Sequence, residues 1–337
     1  MKLISIVTPC YNEEDNVEEC YRRIEELFSS LSQYRYEHIF IDNASTDATR
    51  AILRRLATED PRVRVIINSR NFGHIRSPYH GILQARGDAV IPFVADLQEP
   101  VELLPQFLTC WNQGAKIVMG VKSQSGESAA MFLIRKLYYR LVSRLADVDL
   151  TQNFYGFGLY DRSVIAILRT MDDPYPYFRG QISEIGFAPV KIEYLQPARK
   201  RGITKNNFYT LYDMAMLGIT SHTKVPLRLA TMFGFLMSGC SLLVGLVYLV
   251  YKLLFWQQFT LGLAPLVVGL FFFGSVQLFF IGILGEYIGA IHTQVLKRPL
   301  VVEKERINFD REAAEPEQRS CNPSEVAGTA DAVGTRL

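Results

Sequence analysis

Two long uncharged segments constrain this chain more than any other feature of its sequence. Residues 229–251 form a run of 23 without a charge, and residues 261–285 form a run of 25. As a helix, either segment is long enough to cross about 30 Å of hydrocarbon. A buried helix pair in a soluble protein is the alternative, and two such runs in one chain argue against it. We expect two transmembrane helices that form a hairpin.

Basic residues flank this hairpin on its outer sides, namely Lys224, Arg228, Lys297 and Arg298. The connection between the two segments carries only Lys252. Positively charged flanks stay on the cytoplasmic side of a membrane. The pattern therefore predicts a multi-pass protein of the inner (cell) membrane whose two ends, and the long N-terminal part of the chain, lie in the cytoplasm.

Short apolar runs alternate with helical patterns up to about residue 125, which is typical of a mostly parallel α/β sheet. The predicted strands are 3–8, 38–41, 63–67, 89–94 and 117–121. The predicted helices are 16–30, 46–59, 75–85 and 101–113. The N-terminal apolar run soon meets Pro9 and then acidic residues, so we interpret it as the first strand and not as a signal peptide.

The composition excludes several classes of protein. The formal net charge is only +2, so nothing at the level of the whole chain favours binding to nucleic acid. The five cysteines are scattered and show no CxxC or Cys/His spacing. This argues against a disulfide framework or a zinc site, and it fits a reducing compartment.

Residues 128–147 combine basic, aromatic and aliphatic side chains at helical spacing. An ordinary surface helix and a helix at the membrane interface both fit this pattern. In the second case Arg135 and Lys136 are candidates to seat a lipid headgroup.

Polar residues follow four of the predicted strands at the point where each strand ends. The segments are TPCYNE, DNASTD, SRNFG and ADLQEP. In an open parallel sheet, ligands bind outside the carboxyl ends of the strands. Taken singly, Asp47 could cap a helix and Arg70 could be a solvated charge. Four such turns at one edge favour a site for phosphate and a metal ion.

The segments VTPCYNEEDNV, DNASTDAT, RNFG and DLQEP resemble the nucleotide-binding core of family 2 glycosyltransferases, which have the GT-A fold. The branch they are most similar to contains dolichyl-phosphate mannose synthase and the bactoprenol glucosyltransferases. The segments FGLYDR and RKRGITK and the paired apolar helices follow in the family's order, so the resemblance extends to about residue 305.

This resemblance implies an inverting glycosyltransferase that moves a sugar from a UDP- or GDP-linked donor to a polyprenyl, undecaprenyl-type phosphate at the cytoplasmic membrane face. It also implies a homo-oligomer. The implied organisation is a GT-A-like catalytic domain (1–205), a juxtamembrane amphipathic segment (206–227), two transmembrane helices (228–290) and a cytoplasmic tail (291–337). We expect that tail to be disordered from about residue 308 because it is polar and rich in small residues.

The resemblance also implies roles for individual residues. Nucleotide binding would fall to Pro9, Tyr11, Glu13, Asp42 and Arg70, with Asp42 on the base or ribose. Asp96 would hold Mg²⁺ or Mn²⁺ beside Gln98, since oxygen ligands suit hard cations. The catalytic residues would be Asp96, Arg199 and Lys205, the last two gripping phosphate from a mobile loop.

Three positions depart from the family pattern. Val94 replaces the first Asp of the usual Asp-x-Asp, and Asn43 replaces a second Asp after the second strand. Gly156 stands where the family often has an Asp proposed as base. A phosphate monoester has a second pKa of roughly 6, so an acceptor phosphate is already mostly ionised. Asp161 is an alternative base.

Three other functions are weighed from the sequence. A processive polysaccharide synthase shares the nucleotide core but needs a Gln-x-x-Arg-Trp motif, which the chain lacks. A non-catalytic membrane scaffold derived from a transferase is the second, because Val94 and Gly156 replace residues tied to chemistry. A transferase that uses another membrane acceptor is the third.

Overall fold

The computed structural model describes residues 1–123, 151, 153–195, 216–218, 220, 223–255 and 263–309. Within these ranges the α/β domain has eight strands: β1 (Lys2–Cys10), β2 (Tyr34–Asp42), β3 (Val63–Asn68), β4 (Ala89–Pro92), β5 (Ile117–Lys122), β6 (Phe154–Asp161), β7 (Val190–Tyr194) and β8 (Glu303–Ile307). The described helices of this domain are α1 (Val17–Ser30), α2 (Thr49–Glu59), α3 (Gly73–Gln84), α4 (Leu104–Asn112), α5 (Arg162–Met171) and α6 (Phe178–Glu184). The five predicted strands and four predicted helices are all present.

The described strands form one sheet in the order β7-β5-β6-β4-β1-β2-β3-β8. The pairs β1–β2, β1–β4, β2–β3 and β5–β7 are parallel. The pairs involving β6 or β8 are antiparallel. The fold is therefore GT-A-like, as expected, with a mixed sheet whose parallel half carries the polar loops at its carboxyl edge.

Helices cover both faces of the sheet, which explains why β1 is almost wholly apolar. Ile4 and Ile6 pack with α1 and α4 on one face, while Val7 packs with α3 and α5 on the other. Residues of α2 pack with Phe40 and Val65 in a third cluster. The central strands are thus buried, and their carboxyl ends are held in fixed register for the loops that follow.

Two long apolar helices follow the sheet domain, α7 (Val225–Leu254) and α8 (Leu263–Val295). Both are long and apolar enough to cross a membrane, and their apolar windows are not buried within the protein. The rings of Phe233 and Phe280 lie 6.3 Å apart, and the Tyr287 hydroxyl donates a 2.7 Å hydrogen bond to the Thr223 carbonyl. The start of α7 therefore lies beside the later part of α8, as in the expected hairpin.

The chain returns to the sheet after the hairpin, which the sequence analysis did not predict. Strand β8 lies within the expected tail (291–337) and pairs antiparallel with β3. Glu305 forms a 2.6 Å ion pair with Arg54 of α2. Glu303 contacts His80 at 2.5 Å and Arg306 at 2.6 Å. The sequence domain ending at residue 205 thus omits one strand of the sheet.

The charges of β8 explain why it was missed. Glu, Lys, Glu and Arg resemble a solvated segment, although charged residues are common on edge strands. Burial opposes ionisation of Glu303, but hydrogen bonds from Arg306 and His80 outweigh it and hold the pKa of this carboxyl at about 2. The predicted disorder from about residue 308 falls mostly outside the described residues, as does the amphipathic segment 128–147.

Candidate active site

A cleft of about 630 Å³ opens at the carboxyl edge of the parallel strands. One part of its lining comes from the loops after β1, β2 and β3 and from the start of α3. Another part comes from the start of β6, from the connection between α5 and α6, and from Leu217 just before the hairpin. The sheet edge at which the polar turns were predicted to meet therefore carries a cleft.

The loops after β1 and β2 are bound to each other by reciprocal hydrogen bonds. The backbone nitrogen of Asn12 donates to Ser45 Oγ at 2.9 Å. The side-chain Oδ1 of Asn12 accepts from the backbone nitrogen of Thr46 at 2.8 Å. The Glu13 nitrogen donates to Thr49 Oγ1 at 2.9 Å. Asn12 has a φ of 55°, a left-handed conformation that asparagine tolerates better than most residues. These bonds fix the loop that carries the cleft residues after β1.

Of the five residues predicted to bind nucleotide, Pro9, Tyr11 and Glu13 line the cleft. Asp42 is completely buried and accepts hydrogen bonds from the Ser45 nitrogen at 3.1 and 3.3 Å. Burial raises the pKa of Asp42, against the opposing effect of those bonds. Contact between Asp42 and a base or ribose would require the loop after β2 to open.

The fifth residue, Arg70, lies beside the cleft and is exposed. Its Nη1 donates to the Asn71 carbonyl at 3.1 Å, and its guanidinium lies 4.1 Å from the centre of the Phe72 ring. Asn71 lines the cleft while Arg70 does not. The role of Arg70 in nucleotide binding stays a prediction.

Asn43 connects the second and third loops. Its Nδ2 donates to Asn71 Oδ1 at 2.9 Å and to the Gly73 carbonyl at 3.1 Å. Its Oδ1 accepts from Asn68 Nδ2 at 3.2 Å and from the Phe72 nitrogen at 2.8 Å. An asparagine at this position donates and accepts hydrogen bonds at the same time, whereas a carboxylate only accepts them. The bonds of Asn43 to Phe72 and Gly73 hold the start of α3 in place.

We predict that Asn43→Asp destabilises the protein by about 1–3 kcal/mol, because a carboxylate cannot donate to the Gly73 carbonyl. Thermal unfolding in detergent should show a lower midpoint than the wild type. Asn43→Ala is the comparison variant: it loses the two accepted bonds as well as the two donated ones but places no charge against a carbonyl, so a loss for Asn43→Asp that matches or exceeds the loss for Asn43→Ala would isolate the effect of that charge. An Asn43→Asp variant as stable as the wild type would contradict this account of the loop.

The turn after β4 carries the predicted metal ligands. Asp96 Oδ1 accepts from the Gln98 nitrogen at 3.2 Å across Leu97, which has a φ of 57°. Val94 and Glu99, which come before and after this pair in the sequence, line the cleft, whereas Asp96 and Gln98 do not. Glu99 Oε2 accepts from the Val94 nitrogen at 3.1 Å, and burial raises the pKa of Glu99 to about 8.

Within the described part of the chain, no three His, Cys, Asp or Glu side chains are grouped closely enough to hold a metal ion. Mg²⁺ is often held by one or two carboxylates together with substrate phosphates. Asp96 offers one carboxylate and Gln98 one side-chain amide oxygen, and this pair fits that second kind of site. A divalent cation here would depend on the diphosphate of a donor.

Gly156 lines the cleft with a φ of 103°, a conformation that L side chains rarely adopt. The backbone at this point therefore suits glycine and not the Asp of the family pattern. Asp161, the alternative base, lies elsewhere. It caps α5 through the Ser163 nitrogen and accepts from Trp111 Nε1 at 2.8 Å, and it does not line the cleft. Its role is structural.

Arg179 was missed by the sequence analysis, although it lines the cleft. Its Nη1 donates to the Phe154 carbonyl at 3.2 Å, and its guanidinium lies 5.5 Å from the Tyr155 ring and 5.3 Å from the Tyr177 ring. The only sequence signal was the dipeptide Arg-Gly after an aromatic run. Arg199 and Lys205 lie outside the described residues.

An α/β sheet with a cleft at its carboxyl edge, joined to two apolar helices long enough to cross a membrane, is the arrangement of a membrane-associated α/β protein. The family model for glycosyl transferase family 2 matches residues 5–168. An uncharacterized glycosyltransferase YkcC of Bacillus subtilis is 35% identical over 88% of this chain and 92% of its own length. The chain belongs to glycosyl transferase family 2, and it is a glycosyltransferase.

Other similar proteins carry more specific names. The SfII prophage-derived bactoprenol glucosyl transferase of Shigella flexneri is 34% identical over 89% of this chain and 97% of its own length. The solved structure of glucosyl-3-phosphoglycerate synthase from Mycobacterium tuberculosis with Mn²⁺, uridine diphosphate and phosphoglyceric acid has a TM-score of 0.43 at 21% identity. It covers 65% of this chain and 76% of its own.

Proposed function

We propose that this protein transfers a sugar from a nucleotide-sugar donor to a polyprenyl, undecaprenyl-type phosphate at the cytoplasmic face of the inner membrane. The observation that carries the proposal is the likeness to a bactoprenol glucosyl transferase, which extends through both apolar helices and almost the whole relative. The cleft lining also includes Leu217, which precedes α7 in the chain, so the cleft lies next to the segment that leads into the apolar helices, as a lipid acceptor would require.

In this reaction an oxygen of the acceptor phosphate attacks the anomeric carbon of the sugar. The bond from that carbon to the donor diphosphate breaks, its electron pair leaves with the nucleoside diphosphate, and the configuration inverts. Because the phosphate is mostly ionised at neutral pH, attack needs positioning more than a base. This suits Gly156, where the chain lacks a carboxylate.

The donor would lie against Pro9, Tyr11 and Glu13, with its diphosphate towards the turn that contains Asp96. Asp96 and Gln98 would hold Mg²⁺ or Mn²⁺, which neutralises charge on the leaving diphosphate when bound. Arg199 and Lys205 would add positive charge at the acceptor.

The two apolar helices would anchor the enzyme as a multi-pass protein and keep the cleft near the headgroup plane. A homo-oligomer is part of the proposal. A Cβ at Gly234 of α7 would meet no atom of the described residues within 4 Å. The small size of this residue is therefore not needed for packing against the described part of α8. Small residues of this kind let helices of separate copies approach closely.

The test is a transfer assay on the detergent-solubilised full chain with undecaprenyl phosphate and Mg²⁺ or Mn²⁺. Radiolabelled UDP-glucose, UDP-N-acetylglucosamine, UDP-galactose and GDP-mannose are offered separately, and label is counted in the organic phase. We expect label from one donor, and none when undecaprenol replaces its phosphate. Binding of a nucleotide without transfer from any donor would refute the proposed acceptor.

A further inference from the structure

The cleft contains an arginine whose setting suits a phosphate. Of the described residues that line the cleft, Arg179 is the one arginine or lysine, whereas Glu13 and Glu99 are acidic. An acceptor phosphate that approaches the diphosphate of the donor needs compensating positive charge in the same cavity. Arginine supplies this well, because its planar fork donates two hydrogen bonds to one phosphate.

Aromatic rings fix the position of the Arg179 guanidinium. It lies 5.5 Å from the centre of the Tyr155 ring and 5.3 Å from that of Tyr177, and it donates to the Phe154 carbonyl at 3.2 Å. Lys122 Nζ lies 4.2 Å from the centre of the Tyr155 ring and adds a second positive charge nearby. A guanidinium held in this way loses less conformational freedom when it binds an anion.

The segment that carries Arg179 is tied to the membrane hairpin. Asp173 Oδ1 accepts from Gln294 Nε2, near the end of α8, at 2.8 Å. Its Oδ2 accepts from Gln181 Nε2 of α6 at 3.0 Å. Asp173 therefore connects α6, the helix that carries Arg179, to the end of α8. A lipid phosphate at the headgroup plane would reach the cleft from this side.

We propose that Arg179 binds the phosphate of the lipid acceptor, with Tyr155 and Tyr177 holding its guanidinium in place. The proposal rests on the proposed function for the identity of the acceptor. The ligand that we assign to Arg179 is a phosphate monoester. The diphosphate of the donor is the other possible source of phosphate in this cleft, and the test separates the two.

The test measures binding of farnesyl phosphate and of farnesol to the full chain in detergent, with saturating UDP, or GDP if the active donor is GDP-linked. Arg179→Gln should weaken binding of farnesyl phosphate about 10- to 100-fold, the loss of one charge-assisted contact. Binding of farnesol and of the nucleoside diphosphate alone should stay within about twofold of the wild type, as expected of a contact made to the phosphate only. Arg22→Gln, on the exposed face of α1, is the control for loss of an arginine charge.

Arg179→Lys keeps the charge but not the fork, so it should bind farnesyl phosphate better than Arg179→Gln and less tightly than the wild type. It also provides the readout if the glutamine variant does not fold. Equal losses for nucleoside diphosphate and farnesyl phosphate would assign Arg179 to the donor and overturn the proposal. Unchanged binding of farnesyl phosphate in both variants would overturn it as well.

Failure of the proposed function is a separate result. Wild-type protein that prefers farnesyl phosphate to farnesol but transfers no sugar to undecaprenyl phosphate would refute the function and leave the Arg179 assignment standing. Wild-type protein without that preference would refute the assignment, whether or not transfer occurs.

Discussion

Asp96→Asn should lower the rate of sugar transfer by about 10²–10³-fold, the usual cost of removing a group that stabilises transition-state charge. The other carboxylate in the turn after β4 is Glu99, which is held by the Val94 nitrogen and has its pKa raised to about 8 by burial. Among the described residues of this turn, Asp96→Asn would therefore leave only neutral amide oxygens beside the donor diphosphate to hold a divalent cation. Transfer should require more Mn²⁺ or Mg²⁺ in the variant.

The measurement is the initial rate of transfer as a function of metal concentration, with thermal unfolding as a check on the fold. Glu102→Gln is the matched control. It removes a carboxylate from an exposed position of the short helix Val101–Leu103, in the segment that follows the same turn. An Asp96→Asn enzyme with the wild-type rate and the wild-type metal dependence would show that Asp96 holds no catalytic cation.

The parallel half of the fold was predictable because its signals are local. Each of β1, β2 and β3 is an apolar run followed by polar turn residues, and each helix between them has an apolar face. The strands β6, β7 and β8 were not predicted. In β6, Gly156 and Gly158 interrupt the strand pattern, and Gly158 lies so close to the Val118 carbonyl that a Cβ would be 2.3 Å from its oxygen.

The site was predictable only where it follows directly from strand ends. Pro9, Tyr11 and Glu13 line the cleft because a parallel sheet brings its loops to one edge. Arg179 could not be found in this way. It reaches the cleft because β6 runs antiparallel beside β4 and brings the connection after α5 back to the same cavity. That arrangement depends on long-range pairing, which no short sequence pattern encodes.

Restoring the family's carboxylate should harm this enzyme. Gly156→Asp places a side chain at a φ of 103°, where non-glycine residues are strained by about 1–3 kcal/mol. A Cβ at this position would lie 3.5 Å from the Phe178 ring, so space is not the obstacle. The added carboxylate would stand in a cleft that already contains Glu13 and Glu99, and it would repel a phosphate acceptor. Transfer should fall by more than about 10-fold, because like charges brought together cost several kcal/mol.

Gly156→Asn is the matched variant, since it has the shape of Asp without the charge and tolerates positive φ at least as well. Both variants should show a lower thermal midpoint than the wild type by a similar amount. The rate of transfer at saturating donor should be lower for Gly156→Asp than for Gly156→Asn, with the larger difference in the KM for undecaprenyl phosphate. A Gly156→Asp variant faster than the wild type would mean that a base at this position still limits the reaction, and that ionisation of the acceptor phosphate does not replace it.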